Sequence, residues 1–165
     1  MGADDAIIYL LHHVYSHLEK PGWTLRITFF DFSSTFSAQG TVLSPLLFIL
    51  YTSDLKYITE GCHLQKFSDD SAIVGCVRNW DEAEHRRVVG SFVNCRELNQ
   101  LQRNISKTKE MVVDLRRTWS PVTPMTIKGP DLKIVQDYKY LGVYMDSKLD
   151  RTKNSMGTHL QEGPK

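Results

Sequence analysis

The sequence predicts an α+β fold of the split βαβ, ferredoxin-like kind. Three observations predict it. Segments of strand and helical period follow one another as strand, helix, strand, strand, helix, strand over residues 24–115. The first of these strands, Thr24 to Phe30, is apolar almost throughout, like a central strand covered on both faces. The composition is that of an ordinary globular domain: 165 residues, 41% hydrophobic and 24% charged, enough for one domain with a core and too apolar for a disordered chain.

A helix comes first. Ala6, Ile7, Leu10, Leu11, Val14 and Leu18 recur at helical spacing over Ala3 to Leu18, and Pro21-Gly22 ends the run. His12, His13 and His17 lie on this helix. His13 and His17 are four apart, but no H-E-x-x-H arrangement accompanies them, so they read as surface or packing histidines. The β-branched and aromatic strand Thr24–Phe30 follows, and Phe32 to Ser37 turns the chain. A second helix opens at Gln39-Gly40-Thr41, with Gly40 or Thr41 as cap, Pro45 in the first turn, and Val42, Leu46, Leu47, Ile49, Leu50 and Leu55 as its apolar face. Two strands, Leu64–Phe67 and Ala72–Cys76, flank an acidic turn. Asp81 caps a helix reaching about Leu101, and Glu110 to Leu115 is the next strand. Met125–Ile127, Leu132–Val135 and Tyr138–Tyr144 read as short strands of a small hairpin region, with Lys128-Gly129-Pro130 as a turn. The organisation is residues 1–117, a hairpin region at 118–150, and a polar, frayed tail at 151–165.

Carboxylates carry the candidate chemistry. Asp31 ends a buried strand, where a charge is costly unless paired or metal-bound. Asp69 and Asp70 occupy the turn between the two later strands, where short polar side chains favour tight reversal. A crossover helix brings the first strand beside that hairpin, so the three carboxylates converge. Hard cations such as Mg²⁺ or Mn²⁺ prefer such oxygen donors, and two of them clamp the attacking and leaving oxygens of a phosphoryl or nucleotidyl transfer.

Net charge is +1, but residues 1–75 carry −4 and residues 76–165 carry +5. That split suits a metal site beside a polyanion-binding face, and equally ordinary scatter of surface charge. Cys62, Cys76 and Cys95 are odd in number and lack C-x-x-C spacing, which argues against a disulfide framework or zinc ribbon and best fits a reducing compartment. The acidic start, with no basic segment leading into an apolar one, is not a secretory signal. The longest apolar run, Val42 to Tyr51, is broken by Ser44-Pro45 and too short to span a bilayer. The expected location is intracellular, cytoplasmic or nuclear, with no membrane partner.

Five segments, in order, resemble the reverse transcriptase domain of non-LTR (LINE-type) retrotransposons. Phe29 to Phe36 (FFDFSSTF) resembles the first palm motif, and Gln39 to Phe48 (QGTVLSPLLF) the second. Phe67-Ser68-Asp69-Asp70 resembles the F-x-D-D catalytic hairpin, Asn104 to Lys109 the N-x-x-K-T segment, and Tyr138 to Val143 (YKYLGV) the hairpin at the palm–thumb junction. The resemblance implies the palm of a right-hand polymerase and RNA-directed DNA polymerase activity by two-metal nucleotidyl transfer. Its partners would be an RNA template, a DNA primer and deoxynucleoside triphosphates. It also implies roles. Asp31 and Asp69 would ligate two Mg²⁺ (or Mn²⁺) ions with Asp70 beside them, and the backbone carbonyl of Phe32 would complete one metal shell. Phe36 would lie under the sugar, Gln39 and Gly40 would line the nucleotide, and Lys107 would neutralise or protonate the leaving pyrophosphate. The sequence departs from the family where Ser37-Ala38 joins Phe36 directly to Gln39: a long fingers-containing segment and the proline of P-Q-G are missing. Fingers motifs before Ala3, most of the thumb after Asp150 and any endonuclease are missing too. The expectation is a degenerate, inactive fragment. The alternative is a non-catalytic nucleic-acid-binding module on a ferredoxin-like scaffold, although no RNP-type aromatic pattern is evident. A different Mg²⁺ phosphotransferase using Asp31 would want D-x-D, and Ser33 stands at the second position.

Overall fold

A computed structural model describes residues 3–34, 59, 61–67, 70–98, 101–104, 106–115 and 121–149. The helix read at 39–55, with Phe36, Gln39 and Gly40, lies outside these residues, as do Ser68, Asp69 and the tail from 150. The described elements are α1 (Ala3–Leu18), β1 (Trp23–Ser34), β2 (Cys62–Phe67), β3 (Asp70–Arg78), α2 (Ala83–Leu98), β4 (Leu101–Arg103), β5 (Lys109–Val113), β6 (Lys133–Ile134), β7 (Asp137–Tyr140) and β8 (Val143–Asp146). The architecture is mixed α+β. A five-strand path runs β2-β3-β1-β5-β6, β4 pairs with the end of β1, and β7-β8 form a separate hairpin. Pairing is antiparallel except between β5 and β6. No helix among the described residues is long and apolar enough to cross a membrane.

The period-2 alternation of β1 gives the sheet two buried faces. Leu25, Ile27 and Phe29 point to one, where Leu10 and Val14 of α1, Ala72 and Val74 of β3, Met111 and Val113 of β5, and Tyr140 and Met145 of the hairpin form a core. Phe30 and Ile73 point to the other, onto Val88, Val89, Phe92 and Val93 of α2 and onto Met125, Ile127 and Leu132. Burial on both faces is why β1 is buried along its length, with Thr24, Arg26 and Thr28 buried beside its apolar residues.

Several boundaries differ from the sequence reading. β2 begins at Cys62 and β3 runs from Asp70 to Arg78, so Asp70 belongs to the strand, paired with Asp31 and Phe67, and not to the turn. β5 and β6 are shifted or shortened to Lys109–Val113 and Lys133–Ile134. β1 does not turn after Asp31; it continues to Ser34 because β4 pairs with Phe32, Ser33 and Ser34. Helix α2 starts as expected, with Asp81 Oδ1 accepting from Ala83 N at 3.1 Å, but ends at Leu98, and Leu101 joins β4 instead. Around Met125–Ile127 the only described pairing is a single bridge, Thr126 to Asp131, on either side of the Lys128-Gly129-Pro130 turn. The run Tyr138–Tyr144 is two strands, reversed at Leu141-Gly142, both with positive φ.

The α2 face of the sheet holds polar groups that the hydrophobic pattern did not reveal. Arg26, 2% exposed, bonds Glu110, 0% exposed, at 2.6 Å and Glu82 at 2.5 Å. His85, also buried, lies over Gly75: a Cβ at that glycine would stand 2.1 Å from His85 Nδ1, so only glycine lets the helix approach the sheet there. His85 Nε2 meets Thr28 Oγ1 at 3.2 Å. Burial, reinforced by Arg26 and then Arg86, pushes the imidazole pKa down to about 3. The folded state therefore refuses a proton that the unfolded chain accepts near pH 6.5. This stabilisation is complete above the unfolded value and is lost as pH falls toward the folded one. Urea denaturation should show roughly 2 kcal/mol less stability near pH 5 than near pH 7 from this one group. A His85→Gln variant should lack that part of the slope, and an unchanged slope in the variant would contradict the assignment.

Candidate functional site

Asp31 and Asp70 are directly opposite one another in the antiparallel β1–β3 ladder. Opposite residues share a face. For Asp31 that face follows from Phe29 two residues earlier, and for Asp70 from Ala72 two residues later; both belong to the core under α1 and the β7–β8 hairpin. The two carboxylates thus stand side by side where the apolar stretch of the sheet ends. Phe67 pairs with Asp70, so β2 and β3 form a hairpin with Ser68 and Asp69 between them. Like charges directly opposite are destabilising, which gives the pair a demand for positive charge.

Part of that demand is met by Lys107, whose Nζ lies 3.2 Å from Asp31 Oδ2. Local chemistry positions it. Asn104 N donates to the Asp31 carbonyl at 2.9 Å, anchoring the segment after β4 to β1. Asn104 Oδ1 then accepts from Ser106 Oγ at 2.7 Å and from Lys107 N at 3.3 Å, while Thr108 N and Oγ1 bond the Asn104 carbonyl at 2.9 and 2.8 Å. Asparagine builds such turns because its side chain imitates a backbone carbonyl. The turn presents Lys107 to Asp31, although the lysine is 65% exposed and the aspartate 26%.

The hairpin supplies the floor. Tyr138 stacks on Phe29 with centroids 4.2 Å apart and planes 15° apart, and Tyr140 lies 5.4 Å from the same ring. Tyr140 is buried and its hydroxyl has no hydrogen-bond partner among the described residues. Burial pushes both phenol pKa values up. Asp70 pushes further on both, and Asp31 also acts on Tyr138, so both tyrosines keep their protons. The negative potential of the carboxylate pair therefore reaches the hairpin.

Of the site residues read from sequence, the structure brings Asp31, Asp70 and Lys107 together. It places the Phe32 backbone in β1, opposite Arg103 of β4. Asp69, Phe36, Gln39 and Gly40 lie outside the described residues. Sequence reasoning named Tyr138 and Tyr140 only as hairpin residues; nothing in their spacing signalled a carboxylate pair more than sixty positions earlier. Among the described residues, no three acidic, histidine or cysteine side chains form a group able to hold a metal ion. The donor chemistry nevertheless suits a hard divalent cation: two carboxylates stand in register, with an ammonium on Asp31. Cys62 and Cys76 offer no thiolate, because burial pushes them up to about 11 and about 12.

No family model matches the chain, and no curated protein or solved structure matches it.

Proposed function

We propose that the chain is a reverse transcriptase palm by descent, a degenerate piece of a retrotransposon RNA-directed DNA polymerase that retains cation-binding carboxylates and does not polymerise. The observation that carries this reading is the register of Asp31 with Asp70, with Lys107 on Asp31. These residues belong to three separate segments of the five that resemble the family. The strand order β2-β3-β1-β5, antiparallel at each step, supports the ferredoxin-like palm, because it is the order a split βαβ unit produces.

In this reading Asp31 and Asp70, with Asp69 and the Phe32 carbonyl by resemblance, would hold Mg²⁺ or Mn²⁺. When bound, such ions lower the pKa of an attacking 3′-hydroxyl and stabilise charge on the transferred phosphate. The carboxylates supply the binding charge and orientation. Lys107 supplies an exposed positive charge, held at Asp31 by the Asn104 turn, which by resemblance would neutralise or protonate a leaving pyrophosphate. Phe36, Gln39 and Gly40 would border the nucleotide. Template RNA, primer DNA and deoxynucleoside triphosphates would be the partners of the parent enzyme.

Loss of polymerisation follows from the join. Only Ser37-Ala38 separates Phe36 from Gln39, where the family has the long segment that positions template and nucleotide. Nucleotidyl transfer needs the 3′-hydroxyl and the α-phosphate in near-attack geometry, and loss of that positioning forfeits several kcal/mol of the acceleration. Primer extension on a homopolymer RNA template with Mg²⁺ or Mn²⁺ should give no product above an Asp69→Asn, Asp70→Asn control. Metal-dependent extension that the control lacks would contradict the loss. Sequence-independent binding through the basic second half should persist and weaken with added salt.

A further inference from the structure

Four histidines meet where α1 crosses β2. His13 stacks on His63 with ring centroids 4.0 Å apart and planes 25° apart. His17 lies 5.9 Å from His63 and 6.4 Å from His13, and His12 lies 5.9 Å from His13. The His17 Nδ1–H donates to the His13 carbonyl at 2.9 Å, while His63 Nδ1 is buried with no hydrogen-bond partner among the described residues. Rings stacked plane to plane do not aim their nitrogens at one point between them, so the cluster does not chelate. What the packing does is hold rings that become positively charged on protonation against one another.

We propose that this cluster makes the docking of α1 on the sheet a proton-controlled latch, closed while the imidazoles are neutral and released when they take up protons in mildly acidic solution. The stack is the reason. Two neutral rings pack well at that separation, but two imidazolium ions there repel, and His12 and His17 add charge of the same sign. Among the described residues, the groups around the stack offer no relief. From α1, Tyr9 meets His13 edge-on at 4.4 Å and the Ser16 hydroxyl lies 3.3 Å from His17 Nδ1. From β1, Trp23 lies 6.0 Å from His17, with the Lys20 ammonium 5.6 Å from the Trp23 ring. From β3, Val74 is opposite His63, and the half-buried Cys76 follows two residues on. Among the described residues, the charges acting on His63 are those of His13 and His17, and on His13 those of His12 and His17; no described carboxylate contributes at either.

Burial first, then these like charges, hold His63 down to about 4 and lower His13 as well. A histidine released from the interface accepts its proton near pH 6.5, so undocking gains ground as pH falls below that value and is strongest near the His63 value. Docking otherwise rests on Ala6, Ile7, Leu10 and Val14, which are buried in α1, and on Leu11 and Leu18 packed partly buried against the core, while Ile8 and Tyr15 stay exposed. The helix is therefore held by one apolar face beside the histidines, and a single helix on the sheet is the kind of element that opens before the sheet does.

Amide hydrogen exchange on the whole chain, corrected for intrinsic rates, tests this near pH 7.5 and near pH 5. Protection of the α1 amides should fall by about ten-fold or more in acid while β1, β3 and β5 keep theirs. His63→Phe, which keeps the stack and removes a titrating ring, should hold α1 docked at both pH values. His13→Gln, at a half-buried position, provides the same comparison if that variant does not fold. Equal α1 protection at the two pH values, a pH response retained in both variants, or loss of protection in the strands together with α1 would overturn the proposal; the last would assign the acid response to global unfolding through His85.

Discussion

Arg26→Met, made alone, should destabilise the fold by about 3–5 kcal/mol in chemical denaturation, the range for removing one partner of a buried ion pair. Arg26 is the hub of a network across the α2 face of the sheet. Its Nη1 donates to Glu110 Oε1 at 2.6 Å, and its Nη2 donates to the Thr123 carbonyl at 2.8 Å and lies 2.5 Å from Glu82 Oε1. Glu110 Oε2 accepts in turn from Met125 N at 3.0 Å. Four parts of the chain are joined: β1, β5, the residues leading into α2 and the segment before Met125. Burial already raises the Glu110 pKa, and Arg26 is the main force opposing it. Removing the guanidinium leaves a wholly buried carboxylate that must either stay charged or take up a proton. A raised folded pKa means stability that is present in acid and lost as pH rises through that value. The deficit of Arg26→Met should therefore be larger near pH 7 than near pH 5. Changing both Arg26 and Glu110 to Met should recover much of the loss, since a well-packed apolar pair is often as stable as the ions it replaces. A loss under about 1 kcal/mol for the single change would contradict the central role of the pair.

This network also marks where sequence reading stopped. The period and end of α1, the central position of β1 and the β2–β3 hairpin were legible because each follows from local pattern. Arg26 was not. It interrupts an apolar strand, but its partner stands 84 residues away, and no periodicity relates the two. β4 was missed for the same reason: its three residues pair with Phe32–Ser34 of a distant strand, a tertiary fact that lengthens β1 past Asp31. Gly75 looked like any strand glycine until His85 was seen to lie against it. The histidines of α1 read as packing residues, but the ring that His13 packs on, His63, belongs to another element. The candidate site was legible in its acids, because an aspartate after a buried strand and an acidic hairpin turn are local signals. The Asn104 turn that presents Lys107, and the tyrosine floor, depend on how distant segments meet.

The most direct test of the carboxylate pair as a cation site is thermal melting of the intact chain across a Mg²⁺ titration, beside Asp70→Asn. A cation that binds only the folded state stabilises it by mass action, about 2.7 kcal/mol when in roughly hundred-fold excess over its Kd. The melting temperature of the native sequence should rise with Mg²⁺ and level off. Asp70→Asn removes one of the two carboxylates and should not respond to Mg²⁺. Melting curves of the native chain that superimpose with and without Mg²⁺, or a full metal response retained by Asp70→Asn, would contradict the site.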